Sequence, residues 1–121
     1  MSGIVLVVDD DPLFARATAM MLTRHGWQTR LADNAATALR TLHTGTVTAV
    51  VCDLNLPVDS GLTIIRNAVA HPSQPRVVAM SGMIDAAFFL LVAQRVGAHA
   101  ALVKPFSEAG LLEALQGTAA D

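Results

Sequence analysis

At 121 residues, 53% hydrophobic and 15% charged, the chain suits one globular domain, taken as 1–121, with a sizeable core, and it is far from the composition of a disordered segment. A formal net charge of −2 gives no electrostatic case for direct nucleic-acid binding, and the longest apolar run, Ala86–Ala93, is too short to span a bilayer. The single cysteine, Cys52, excludes an internal disulfide, and the N-terminus lacks the basic flank and long apolar core of a signal peptide, so a cytoplasmic protein with no membrane partner is expected.

The chain then alternates between two patterns. Ile4–Val8 is a continuous apolar run of strand type, followed by Asp11 as a helix cap and Pro12 at the first helical position. Leu13, Ala17, Met20 and Met21 recur at helical spacing as one apolar face, and Gly26 ends that helix after His25, where an imidazole complements the helix dipole. Gln28–Ala32 is a second strand. Asp33 or Asn34 caps a helix carrying Ala35, Ala38, Leu39 and Leu42, which Gly45 ends. Val47–Cys52 is the third strand, and it delivers Asp53 to the rim of an apolar sheet. Pro57 stops it, and Val58–Gly61 is a turn into a helix with Leu62, Ile65, Ala68 and Val69 inward. Pro72 and Pro75 bracket a loop before the fourth strand, Arg76–Met80. Ser81-Gly82 opens the apolar helix Ile84–Val96, stopped by Gly97. His99–Val103 is the fifth strand, Pro105 breaks it, and Ser107 caps a last helix with Leu111, Leu112 and Leu115 inward, before a frayed end.

Five strand–helix units predict an α/β fold: a doubly wound five-stranded parallel sheet with helices on both faces. Ligands of such folds bind beyond the carboxyl ends of the strands. Asp9 and Asp10, Asp53, Ser81 and Lys104 all fall at such ends. Taken singly, each has a plainer reading as a cap, a turn residue or a solvated side chain, and Asp11 is read as a cap alone. Together they are harder to dismiss. Three neighbouring carboxylates repel one another unless a cation joins them, and an oxygen-only donor set suits Mg²⁺, with Mn²⁺ as a substitute. Lys104 is a point charge suited to a phosphoryl oxygen, and Ser81 adds a hydroxyl. Such a set can stabilise phosphoryl transfer onto a carboxylate. Cys52 points to the opposite side of the pleat from Asp53 and reads as core. The four histidines, at 25, 43, 71 and 99, have no metal-ligand spacing.

The pattern Val7-Val8-Asp9-Asp10, then Asp53 with Pro57 and Gly61 behind it, then Ser81-Gly82, then Lys104-Pro105-Phe106, resembles the receiver domain of bacterial two-component response regulators, the CheY-like superfamily. The resemblance covers the whole chain. It implies a flavodoxin-like fold with strand order 2-1-3-4-5. It also implies that Asp53 accepts a phosphoryl group from a histidine kinase or histidine phosphotransfer protein. By the same resemblance Asp10 binds Mg²⁺ directly and Asp9 through water, the Asn55 backbone carbonyl completes the metal shell, Lys104 binds the phosphoryl group, and Ser81 is the switch hydroxyl. Such a domain promotes only its own phosphorylation and dephosphorylation and is not an enzyme with an independent substrate.

Two positions depart from the family pattern. Ala101 stands three before the lysine, where an aromatic ring commonly reads out the switch, and the apolar Met83 stands where polar residues are frequent. The run Ala86–Ala93 is apolar all round, so Phe88, Phe89 and Leu90, with Ala101, are expected to form a surface for a downstream protein target or a homodimer through the fourth helix. One alternative is a non-phosphorylated pseudo-receiver that works as a constitutive interaction or dimerisation module. A hydrolase using Asp53 as nucleophile would want an acid two residues on, where Asn55 stands. The chain fits either a stand-alone receiver or a fragment of a larger regulator or hybrid kinase.

Overall fold

A computed structural model describes residues 3–56, 61–82 and 86–117. The turn at Pro57–Ser60, the departure at Met83, the predicted helix start at Ile84 and the end beyond Gly117 lie outside the described residues. Strands β1 (Ile4–Val8), β2 (Gln28–Ala32), β3 (Ala49–Asp53), β4 (Arg76–Ser81) and β5 (Ala100–Val103) alternate with helices α1 (Pro12–Arg24), α2 (Ala35–His43), α3 (Gly61–Ala70), α4 (Ala86–Val96) and α5 (Glu108–Gln116). All strand pairs are parallel and the order is β2-β1-β3-β4-β5. The predicted architecture is the observed one.

The three central strands are buried on both faces, which is why their sequences read as unbroken apolar runs rather than alternating ones. Alternate side chains feed two cores. Leu6, Val8, Val50, Cys52, Val77 and Ala79 pack under α2, α3 and α4, while Val5, Val7, Ala49, Val51, Val78 and Met80 pack under α1 and α5. Each fully buried Val, Leu or Met contributes about 1.5–3 kcal/mol relative to exposure.

Caps fall where the sequence places them. Asp11 accepts from the Leu13 and Phe14 amides, Asn34 from Thr37 and Ser107 from Gly110. Gly26 and Gly45 take positive φ, at 89° and 75°. At the far end of α1, Arg24 and His25 both reach Glu108 on α5, tying the two helices of one face together.

Predicted faces on three helices need correction. On α1 the core side is Ala15, Thr18 and Leu22, whereas Leu13 is 77% and Met20 62% exposed. Thr18 can be buried because its hydroxyl donates to the Phe14 carbonyl at 3.0 Å, so a polar residue masked the true inner stripe. On α4 the helix is not uniformly apolar in its surroundings. Leu90, with Ala86 and Ala93, is buried against the sheet, and Phe89 is half-buried, so Leu90 is no part of a surface. Phe88 and Leu91 face outward instead, at 63% and 51% exposure. Val69 on α3 is likewise only partly covered.

Candidate functional site

The parallel register collects the polar residues. Val8 is opposite Cys52, Asp53 opposite Met80, and Ser81 opposite Val103, so Asp9, Asp53, Ser81 and Lys104 leave the sheet at one edge. Backbone bonds from Leu54 to Met80 and from Lys104 to Ser81, both 3.0 Å, carry the pairing just past the last strand residues. Ser81 completes β4 rather than opening the next helix and is fully buried.

Lys104 is the hub. Its Nζ donates to Asp9 Oδ2 at 2.7 Å and to Asp53 Oδ2 at 2.9 Å. The other oxygens are occupied too: the Asp11 amide donates to Asp9 Oδ1 and the Asn55 amide to Asp53 Oδ1, each at 2.9 Å. The ammonium lies 4.4 Å from the centroid of the Phe14 ring, which is braced edge-on by Phe106 at 5.4 Å. This aromatic support adds cation–π attraction and fixes the lysine stem. Sequence reading missed Phe14, whose signal was its place one turn past the acid pair. Lys104 and Pro105 are joined by a cis peptide bond.

One glycine is required by close approach, and a second is tightly packed. A Cβ on Gly61 would lie 2.2 Å from the Asp53 carbonyl oxygen, so only glycine lets α3 start against the back of β3. A Cβ on Gly82 would meet the Lys104 Cβ at 3.2 Å. Cys52 is buried on the far face, with its sulfur near the Asp53 and Gly61 carbonyls, and burial pushes its thiol well up. It is an inert core residue, as expected.

The electrostatics follow from burial. Asp9 and Asp53 side chains are 0% and 5% exposed, and that of Lys104 is 17%. Burial pushes the Asp9 carboxyl above its ordinary range; hydrogen bonds from Lys104 and the Asp11 amide pull it down without winning, and the Asp53 charge adds to the rise. Burial alone would lower the Lys104 ammonium, but its bonds to Asp9 and Asp53 outweigh that and raise it. Asp10 is exposed beside them. Asp9, Asp10 and Asp53 each offer a carboxylate oxygen, all within 4.8 Å of one another. Three carboxylates against one ammonium leave net negative charge at the sheet edge, and hard oxygen donors so placed suit a divalent cation.

Ser81 Oγ donates to Asn55 Oδ1 at 2.9 Å, so the predicted switch hydroxyl and Asn55 are brought together. The predicted partner surface is elsewhere: Phe88 stands on α4 and Ala101 is half-buried in β5. Among the described residues no helix is long and apolar enough to cross a membrane.

Known proteins share both the sequence and the geometry. Residues 5–116 match the family described as response regulator receiver domain. The chain is 33% identical to regulatory protein VirG of Agrobacterium tumefaciens over 103 residues, covering 85% of this chain and 38% of that protein. It is equally 33% identical to the transcriptional regulatory protein KdpE of Mycobacterium tuberculosis, covering 85% of this chain and 45% of that one. It therefore spans less than half the length of these relatives. A crystal structure of a response regulator from Burkholderia pseudomallei, with a phosphorylated aspartic acid, calcium ion and citrate, superposes with a TM-score of 0.87 at 31% identity, covering 98% of this chain and 69% of that one. With an acid cluster at the carboxyl edge of a 2-1-3-4-5 sheet and a family match over nearly its whole length, the chain belongs to the response regulator receiver domains of two-component signalling.

Proposed function

We propose that the chain is a phosphorylation-dependent switch in which Asp53 accepts a phosphoryl group from a phosphohistidine on a histidine kinase or phosphotransfer protein. The observation that carries this reading is the Lys104 ammonium shared between Asp9 and Asp53, with Asp10 alongside. In the transfer an Asp53 carboxylate oxygen attacks phosphorus, the P–N bond to the donor histidine breaks, and the departing imidazole nitrogen keeps the electron pair and takes up a proton. Lys104 then turns part of its hydrogen bonding toward the incoming phosphoryl oxygens, while Phe14 keeps its ammonium at the site. Asp10, Asp53 and the Asn55 backbone carbonyl would hold Mg²⁺ (or Mn²⁺) directly, with Asp9 acting through water. The ion, when bound, offsets the negative charge gathered around the phosphoryl group.

The test is incubation with acetyl phosphate, with and without Mg²⁺, followed by intact-mass analysis of wild type and Asp53→Asn. One added phosphoryl group on wild type alone, and only with the metal, is expected. Its absence, even with a panel of histidine kinases, would favour the pseudo-receiver reading, which the missing ring at Ala101 supports.

The same site predicts a pH-dependent response to metal. Because the folded Asp9 carboxyl sits above its ordinary value of 3.8, its protonated form contributes stability that is complete below that value and lost as pH rises through the raised one. At neutral pH the ionised Asp9 is thus a cost that a divalent cation relieves. Mg²⁺ at tenfold over its Kd should stabilise by about 1.4 kcal/mol, raising Tm by roughly 5 °C at pH 7.5. The shift should shrink steadily toward pH 4; thermal melts with the same gain at both ends would contradict the account.

Output is proposed to pass through α4. Phe88 and Leu91 lie three residues apart on its outer side, and Val103 in β5 is 55% exposed. Phe88→Glu with Leu91→Glu should keep the Tm within a few degrees, since exposed substitutions usually cost under about 0.5 kcal/mol each. Self-association or target binding, followed by size analysis with a phosphoryl mimic, should be lost. Unfolding of the variant would show that the two side chains belong to the core.

A further inference from the structure

We infer that Asn55 is a positioning residue whose side chain holds the Ser81 hydroxyl in its resting orientation, and so sets how readily that hydroxyl turns to a phosphoryl group on Asp53. The inference rests on the phosphoacceptor reading of the site. One residue touches both ends of the switch. The Asn55 backbone amide donates to Asp53 Oδ1 and its side-chain Oδ1 accepts from Ser81 Oγ, each at 2.9 Å.

Ser81 is fully buried, so its hydroxyl hydrogen has no easy exchange with water and must be matched inside the protein. A serine hydroxyl has a single proton to donate. Donation to Asn55 and donation to a phosphoryl oxygen are therefore mutually exclusive, and the two acceptors compete. A phosphoryl oxygen is anionic and accepts roughly twice as strongly as a neutral carboxamide, so the proton moves once Asp53 is loaded. The Asn55 bond is what must be broken first. It opposes the switched state by the net worth of one neutral hydrogen bond, which is on the order of threefold to tenfold in the equilibrium. Asn55 lies in the segment just after β3, half-buried, where a change of side chain leaves the sheet pairing of Asp53 and Leu54 intact.

The experiment is a double-mutant cycle read by affinity for beryllofluoride, a tetrahedral phosphoryl mimic, titrated with Mg²⁺ into wild type, Asn55→Ala, Ser81→Ala and the double variant. Asn55→Ala should bind the mimic about threefold to tenfold more tightly than wild type. In the Ser81→Ala background the same replacement should change affinity by less than about twofold, because no hydroxyl remains to be held. An equal or weaker affinity of Asn55→Ala, or the same gain in both backgrounds, overturns the inference and leaves the phosphoacceptor reading standing. A wild type that does not bind the mimic overturns that reading and the inference with it. A second measurement avoids altering Asn55 at all. In the resting protein the Asn55 carboxamide resonances should move on Ser81→Ala, and unchanged resonances would overturn the inference.

Discussion

Asp53→Asn is expected to take up no phosphoryl group under any condition that loads the wild type, a complete loss rather than a slower reaction. The amide has the same shape, and its oxygen can still accept the Asn55 amide hydrogen that now reaches Asp53 Oδ1 at 2.9 Å. It has no anionic oxygen, and a neutral carboxamide is too weak a nucleophile to displace an imidazole from phosphorus. The variant should fold, because the residue closes β3 by backbone pairing and the change alters neither volume nor register. One side effect is diagnostic. The Asp53 charge helps to hold the Asp9 carboxyl up, so removing it should bring the Asp9 titration down toward its ordinary value. Carbon-detected NMR titration of the side-chain carboxyls would follow that movement. An adduct that persists in Asp53→Asn would place the acceptor on another residue and undo the assignment.

The fold was legible because its signals are local and redundant. Ile4–Val8, Val50–Cys52 and Val77–Met80 are strands covered on both faces, and such runs can hardly be anything else when helix caps and glycine stops stand between them. The site was legible for a related reason. A charged residue at the end of a buried strand is costly, so Asp9, Asp53 and Lys104 implied one another before any distance was known. What failed was the rotation of helices. On α1 the exposed Leu13 and Met20 form a better apolar stripe than the buried Ala15, Thr18 and Leu22, because a threonine that bonds its own helix counts as polar in sequence and apolar in space. On α4 every position from Ala86 to Ala93 was apolar, so composition could not say that Leu90 faces the sheet and Leu91 the solvent. Phe14 escaped notice because its role is to lie beneath an ammonium that reaches it from Lys104, ninety residues further along the chain.

Lys104→Met should unbalance both the chemistry and the fold, and the two losses have one cause. The methionine keeps an apolar stem against Phe14 but removes two hydrogen bonds and the single ammonium that faces Asp9 and Asp53. Both carboxylates are almost fully buried, and leaving buried charge without its partner typically costs about 3–5 kcal/mol. The lower figure, about 3 kcal/mol, is expected here because the Lys104 side chain retains 17% exposure and water can reach part of the gap. That is a large fraction of a stability of about 5–15 kcal/mol and corresponds to a fall in Tm of roughly 12 °C. The deficit should depend on pH in a definite sense. Without the lysine the Asp9 carboxyl loses a downward pull and sits higher still, so its protonated form stabilises the fold below 3.8 and progressively less as pH rises through the new value. The variant should therefore lie furthest below wild type at neutral pH and approach it in acid. Mg²⁺ should recover part of the neutral-pH loss, since a divalent cation among Asp9, Asp10 and Asp53 supplies the missing counter-charge. On the proposed function, phosphoryl uptake should stay severely reduced even then, because the metal does not replace the ammonium that would meet the phosphoryl oxygens. Urea melts between pH 4 and 8, with and without Mg²⁺, separate these contributions; a variant as stable as wild type at pH 7 would mean that the acid cluster is already neutralised by protonation, and that Lys104 serves the phosphoryl group alone.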